Sequence, residues 1–261
     1  MDRGSSAGRL AARSIYEAGT LVGRWPSVAL PLARWRGHGE PLDTHTELVV
    51  EGFPRSSNSL TVAMIRAAQP EGIRIAHHVH APSHVLESVR RRLPTLVMIR
   101  EPEDAVVELA LLKPAITVAQ ALRGWVRFYG PLEGHRREFV VARAEEIPLH
   151  VGRVVDRLNE RFGTDLLPPD VGPEDLARAE ADTERYWTGR SGPGLPLIGR
   201  TEARDVGAVG GAGQAGEGAD AADQAERRAL HRAYAERRLT RLRSRAERLH
   251  ETLTGGLPDL G

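Results

Sequence analysis

The apolar positions of this chain fall into two rhythms. From Glu47 onward, ELVVEG (residues 47–52), IRIAHHV (73–79), TLVMI (95–99) and EFVVA (138–142) are short, nearly continuous apolar runs. That is the pattern of strands buried on both faces. Between them, residues 60–69, 82–92, 102–112 and 118–129 carry helical spacing, with Pro82 and Pro102 at favourable first-turn positions. A further helix is predicted over 148–162, stopped by Gly163 as a C-cap. Strands alternating with helices imply crossover connections and a mainly parallel sheet. Such sheets bind ligands at the carboxyl ends of their strands.

The flanks have weaker patterns. Residues 1–46 are rich in Arg, Gly and Pro with scattered apolar residues, and read as a partly ordered N-terminal extension, either a short helix or a packed arm. The α/β core is placed at 47–200. Residues 201–226 contain VGAVGGAGQAGEGADAAD, which has little to bury and much chain entropy to lose, so a flexible low-complexity loop is expected. Residues 227–261 read as a charged helix packed on the core through Leu230, Tyr234, Leu239, Leu242, Leu249 and Leu253. Glutamates interleaved with its arginines favour a solvated packing helix over a nucleic-acid helix.

Composition narrows the chemistry. At 261 residues the chain can bury a substantial core. With 36 basic against 35 acidic residues it has no global field, so an anion site has to be local, and neither nucleic acid nor a membrane span is expected as a partner. Lys113 is the single lysine; arginine suits planar recognition of phosphate or sulfate, although a GC-rich genome is the weightier explanation of it. The absence of cysteine excludes a disulfide framework and a cysteine nucleophile. With no apolar h-region near the start, a cytoplasmic protein is expected.

The segment EGFPRSSNSL (51–60) lies between the first predicted strand and the first core helix. A loop in that position turns its backbone N–H groups, and the positive end of the helix dipole, toward whatever lies above the sheet. Arg55 adds a charged fork, and Ser56, Ser57, Asn58 and Ser59 add side-chain donors. A plain polar turn with Ser59 as N-cap is the structural alternative. The Lys-Ser/Thr pair of the ordinary nucleotide-binding loop is missing, which disfavours an ATP or GTP hydrolase or a kinase.

GFPRSSNSL resembles the 5'-phosphosulfate-binding loop of the sulfotransferase family, roughly Pro-Lys/Arg-Ser-Gly-Thr/Asn-Thr, through Pro54, Arg55, Ser56, Asn58 and Ser59. TLVMIREPEDAVVEL resembles the family's 3'-phosphate motif, Arg-x-Pro-x-Asp-x-x-x-Ser, through Arg100, Pro102 and Asp104. HVHAP (78–82) is similar to the Lys-Thr-His-x-Pro strand end, and FVVARAEEI (139–147) to a later strand followed by acidic residues. The likeness covers roughly residues 47–165. It implies a three-layer α/β sandwich with a central parallel sheet, of the P-loop nucleoside triphosphate hydrolase-like type. It further implies sulfuryl transfer from 3'-phosphoadenosine 5'-phosphosulfate to a hydroxyl or amine of a small-molecule or carbohydrate acceptor. In this reading His80 and Arg55 are catalytic, Pro54, Arg55, Ser56, Ser57, Asn58, Ser59, Leu60 and Arg100 bind the donor, and no metal takes part.

Two departures matter. Ser57 stands where the family has glycine, at a position whose backbone wants a left-handed dihedral. Glu108 stands where the 3'-phosphate motif has serine. A carboxylate about 4 Å from a phosphate charge would cost on the order of 4 kcal/mol at an effective dielectric near 20, comparable to the attraction Arg100 supplies. Either Glu108 turns away, another arginine compensates, or the donor site is weakened and the protein is a binding module. The family's later Arg-Lys-Gly stretch has no clean match; Arg190, Arg200 and Arg204 are possible substitutes. Of the clustered histidines, strand alternation would put only His78 and His80 on one face, and the next acid, Glu87, lies well beyond the strand. The helical spacing of Trp125, Phe128 and Tyr129 predicts core rather than an acceptor pocket.

Overall fold

The computed structural model describes residues 6–37, 39–170 and 217–257. Four strands, β1 (Leu48–Gly52), β2 (Ile75–His77), β3 (Thr95–Ile99) and β4 (Val140–Arg143), form one sheet in the order β2-β1-β3-β4. Every pairing is parallel, as it must be when each strand is followed by a helix that carries the chain back across the sheet. The connecting helices are α3 (Asn58–Ala68), α4 (Pro82–Arg90), α5 (Pro102–Leu112), α6 (Val118–Tyr129) and α7 (Ile147–Phe162). Two helices precede the sheet, α1 (Ser6–Val22) and α2 (Pro26–Arg36). Two follow the core, α8 (Glu217–Tyr234) and α9 (Thr240–Thr254).

The alternation of strand side chains builds two cores. Leu48, Val50, Leu96, Met98, Val140 and Ala142 point to one face and meet Val62 and Ile65 of α3 with Val151, Val154, Val155 and Leu158 of α7. Val97, Ile99 and Val141 point to the other and meet α5 and α6, which are backed by Tyr234, Leu239, Ala246, Leu249 and Leu253. The result is a three-layer α/β sandwich about a parallel sheet, consistent with the P-loop-like fold expected of the sequence.

Local details follow from the residues. Gly163 ends α7 in the left-handed conformation, its N–H bonded to the Asn159 carbonyl. Thr117 and Gln120 close a capping box at the start of α6. The predicted second strand runs to Val79, but β2 ends at His77 because His78 turns to a φ of 60° and leaves the extended region. The low-complexity segment is helical from Glu217, where α8 begins, and the charged C-terminal stretch is two helices separated by a turn at residues 237–239.

Tyr129 ties the sheet to the loop after β1. Its ring is fully buried, its hydroxyl donates to the Met98 carbonyl at 2.7 Å, and it accepts the Phe53 N–H at 3.1 Å. Tyr129→Phe strands both backbone groups, and each buried unpaired group costs about 1–3 kcal/mol. We expect a denaturation midpoint lowered by that order with an unchanged denaturant slope, read by urea titration.

Candidate functional site

The site is built at the carboxyl edge of the sheet, where β1, β2 and β3 end beside one another. Residues 53–57 leave β1 and enter α3 through two left-handed non-glycine residues, Arg55 (φ 73°) and Ser57 (φ 61°). Each such residue costs roughly 1–2 kcal/mol. Ser57 is the helix N-cap residue by position and makes no side-chain cap, so the expected Ser59 cap is replaced by a strained backbone reversal at the place where the sequence departs from glycine. Pro54 lines a cavity, Ser56 is fully buried, and Leu60 packs against the α3–α7 core. Asn58 turns beneath the loop, its Nδ2 directed at the carbonyls of Gly52 and Phe53 at 3.4 Å. Its amide therefore braces the loop rather than reaching out from it.

Glu51, the penultimate residue of β1, organises the neighbouring strand end. It is fully buried and accepts the N–H groups of Val79 (2.6 Å) and His80 (3.0 Å). His84 Nδ1 lies 3.2 Å from the same carboxylate. The Leu42 N–H donates to His84 Nε2 at 3.0 Å, so the His84 proton sits on Nδ1, facing Glu51. Burial alone pushes the Glu51 carboxyl up, but the hydrogen bond from His84, with that from the Val79 N–H, holds it below its ordinary value.

That anchor fixes the left-handed residues His78 (φ 60°) and His80 (φ 51°). Strand alternation therefore fails here, and the three histidines stay neighbours, with ring centroids 4.6 Å (His77–His78) and 5.5 Å (His78–His80) apart, while each takes a different polar partner. His80 Nδ1 lies 2.9 Å from the Gly52 carbonyl, which can only accept, so Nδ1 carries the proton and Nε2 is the basic nitrogen of the neutral ring. His78 Nε2 meets Ser59 Oγ at 2.8 Å, while its Nδ1 touches His77 Nδ1. His77 Nε2 in turn lies 3.6 Å from Glu40, which also holds Arg66. Among the described residues no group of three or more potential metal ligands gathers.

Arg55 and Arg100 come together, Arg100 Nη1 lying 3.4 Å from the Arg55 carbonyl. Glu108 does not oppose Arg100. It faces Arg55 Nη2 at 3.1 Å and also pairs with Arg227 of α8, so a second arginine compensates it. Burial raises the Glu108 carboxyl, yet the arginines, Arg227 ahead of Arg55, hold it below the usual range. Arg100 Nε is 3.8 Å from Glu145. The substitutes Arg190, Arg200 and Arg204 lie outside the described residues.

Beside the loop a cavity of about 360 Å³ is lined by Phe53, Pro54, Val79 and His80 together with residues of α1, α2 and the end of α5. Trp125 and Tyr129 belong to the core, as their spacing predicts, whereas Phe128 also reaches the cavity wall. Sequence reasoning missed Glu51, Tyr129 and Arg227. An acid inside the otherwise apolar run LVVEG was the available signal for Glu51. Arg227 had none, since it arrives from 119 residues away.

Two outcomes follow. Ser57→Gly relieves the left-handed strain at the cost of a floppier unfolded chain, for a net gain of about 0.5–1 kcal/mol in urea denaturation. Glu51→Gln presents an amide NH₂ to groups that themselves donate, and should lower stability by about 2–4 kcal/mol. Because the folded Glu51 carboxyl is held below its ordinary value of 4.5, the unfolded chain takes up the proton first. Its stabilisation is complete above that value and is lost as pH falls through the lower folded value. Melting temperatures measured downward from pH 6 should show an acid-side drop that is shallower in Glu51→Gln.

Comparison with known proteins adds little. No family model matches this chain, and no curated protein matches it. Among solved structures, the mouse sulfotransferase SULT7A1, crystallised with PAP, is similar over 80% of this chain and 90% of its own, at 14% identity and a TM-score of 0.40. The fold stated above rests on the strand order and crossovers of this chain itself.

Proposed function

We propose that this protein is a sulfotransferase-like enzyme that moves a sulfuryl group from 3'-phosphoadenosine 5'-phosphosulfate to a hydroxyl or amine of a small-molecule acceptor. The observation that carries the reading is the convergence of Pro54 of the Arg55 loop and of His80 on one cavity, with the His80 proton fixed on Nδ1. The donor's residues fit that edge. Backbone N–H groups at the start of α3, Arg55 and Ser59 would hold the phosphosulfate, and Arg100 would lie nearer the nucleoside. The bound donor supplies an activated sulfuryl group.

The chain's own contributions are those of a base and an anion clamp. His80 Nε2 accepts the proton of the acceptor hydroxyl or amine, and the Gly52 carbonyl steadies the resulting imidazolium through Nδ1–H. Arg55 and the loop N–H groups stabilise negative charge on the departing 3',5'-ADP. The cavity walls, Phe53, Val79, Ala81 and Ile116 among them, offer few partners to a sugar's ring hydroxyls, which favours a less polar acceptor over a carbohydrate. The cysteine-free chain suits a reducing, cytoplasmic compartment.

A second reading has its own observation. Glu108 already occupies Arg55, as it would in a binding module whose donor site has lost its anion. A kinase is the least suited reading, because no Lys-Ser/Thr pair is present in the loop.

Calorimetric titration separates the three. An enzyme binds 3',5'-ADP, and its His80→Ala variant loses on the order of 10² to 10⁴ in rate with that affinity nearly unchanged. A weakened module binds 3',5'-ADP only after Glu108→Ser, and a kinase binds ATP with magnesium instead. Undiminished turnover in His80→Ala removes His80 from the mechanism.

A further inference from the structure

Helix α1 carries apolar residues on both faces, Tyr16 packing inward on the core and others facing outward. Two of its three charged residues face the protein: Glu17 accepts from Arg123 at 2.7 Å and also pairs with Arg127, and Arg13 Nε donates to the Ala115 carbonyl at 2.8 Å. Its outer face carries Leu10 (65% exposed) and Leu21 (42%) with exposed Ala7, Ala11, Ser14 and Ala18. At 100° per residue Leu10 and Leu21 fall on one line along the helix. The apolar surface continues through Trp25 in the following turn (54%) and Val28 and Trp35 of α2 (48% and 77%). Of the eight large hydrophobic residues exposed among the described residues, six lie on this one helical pair and its turn. Scattered exposed apolar residues need no explanation, but a concentration of this kind does.

The charge of the same segment points to what covers it. Residues 6–36 hold five arginines and a single acid, Glu17, and that acid is turned inward on Arg123 and Arg127. The outer face is thus apolar, rimmed by cationic residues such as Arg24 and carries two exposed tryptophans. Tryptophan favours the boundary between hydrocarbon and headgroups, and arginine favours anionic headgroups. A symmetric pair of copies would set this face against itself, arginines toward arginines, with no acid to offset them. Among the described residues no helix is long and apolar enough to cross a membrane, so the segment would lie on a bilayer rather than span it. We infer that α1 and α2 dock the protein on an anionic lipid surface.

The same two helices wall the cavity beside His80, through Ile15, Tyr16, Gly19, Ala29, Leu32 and Ala33. A chain seated on lipid therefore holds that cavity at the interface, where amphiphilic alcohols concentrate. This last consequence rests on the sulfuryl-transfer reading, whereas docking is measured without donor or acceptor and stands or falls separately.

The test is flotation of the full chain with phosphatidylcholine vesicles containing about 30% phosphatidylglycerol. We expect binding, a blue shift in tryptophan emission, and a loss of about tenfold or more in pure phosphatidylcholine or in about 0.5 M salt. The triple variant Leu10→Ser, Leu21→Ser, Trp35→Ser alters only exposed side chains outside the cavity wall. It should lose about tenfold or more in vesicle affinity while keeping its thermal midpoint and its circular dichroism. No vesicle binding by the unaltered chain would overturn the inference. So would light scattering that finds a lipid-free dimer which the triple variant converts to monomer, because the face would then be a contact between copies.

Discussion

A single buried carboxylate sets the geometry of the candidate site. Glu51 has no solvent contact, so the free energy of ionising it has to come from the groups packed around it. Those groups are the backbone N–H of Val79 and His80 and the imidazole of His84. Satisfying them forces the chain after β2 into two left-handed residues, and that reversal delivers His80 to the Gly52 carbonyl. Strain at the strand end is thus compensated by the charge it surrounds. Without Glu51 the turn that brings His80 Nδ1 to the Gly52 carbonyl would lose the acceptor of two of its backbone N–H groups.

The opposite side of the site depends on a balance of charge rather than on burial alone. Arg55 approaches Glu108, and Glu108 is shared with Arg227. One carboxylate between two guanidinium groups leaves a local excess of positive charge, which an incoming anion can use without having to evict the acid into a vacuum of partners. The desolvation that Glu108 suffers is offset mainly by the partly exposed Arg227. On the proposed reading, Glu108 would therefore compete with the donor at Arg55 rather than at Arg100, with Arg227 offsetting it.

Much of this was legible in the chain. The four apolar runs marked the strands because strands buried on both faces have no polar face to interrupt them. Ser57 revealed its strain in advance, since a serine in a glycine's place still has to adopt the glycine's dihedral, and it does at φ 61°. What could not be read were contacts set by tertiary placement. His77, His78 and His80 were spaced like a strand, but Glu51 bends the chain there, and no local pattern reports a buried acid one strand away. The same holds for α1, whose helical period was blurred because apolar residues lie on both of its faces, Tyr16 inward and Leu10 and Leu21 outward, while Arg13 and Glu17 turn inward.

The placement of Arg227 has a consequence beyond local charge. A residue of α8 shares its carboxylate with a residue of the loop, so if the loop takes an anion, as the proposed function has it, its occupancy and the docking of the C-terminal helices would be two linked equilibria. On the proposed reading, an anion that drew Arg55 off Glu108 would leave that acid wholly to Arg227 of α8. Reciprocity would then require that whatever loosens α8 change the loop's anion affinity by the same factor. On that reading the C-terminal helices would act as a thermodynamic reporter of a site to which they contribute no loop residue.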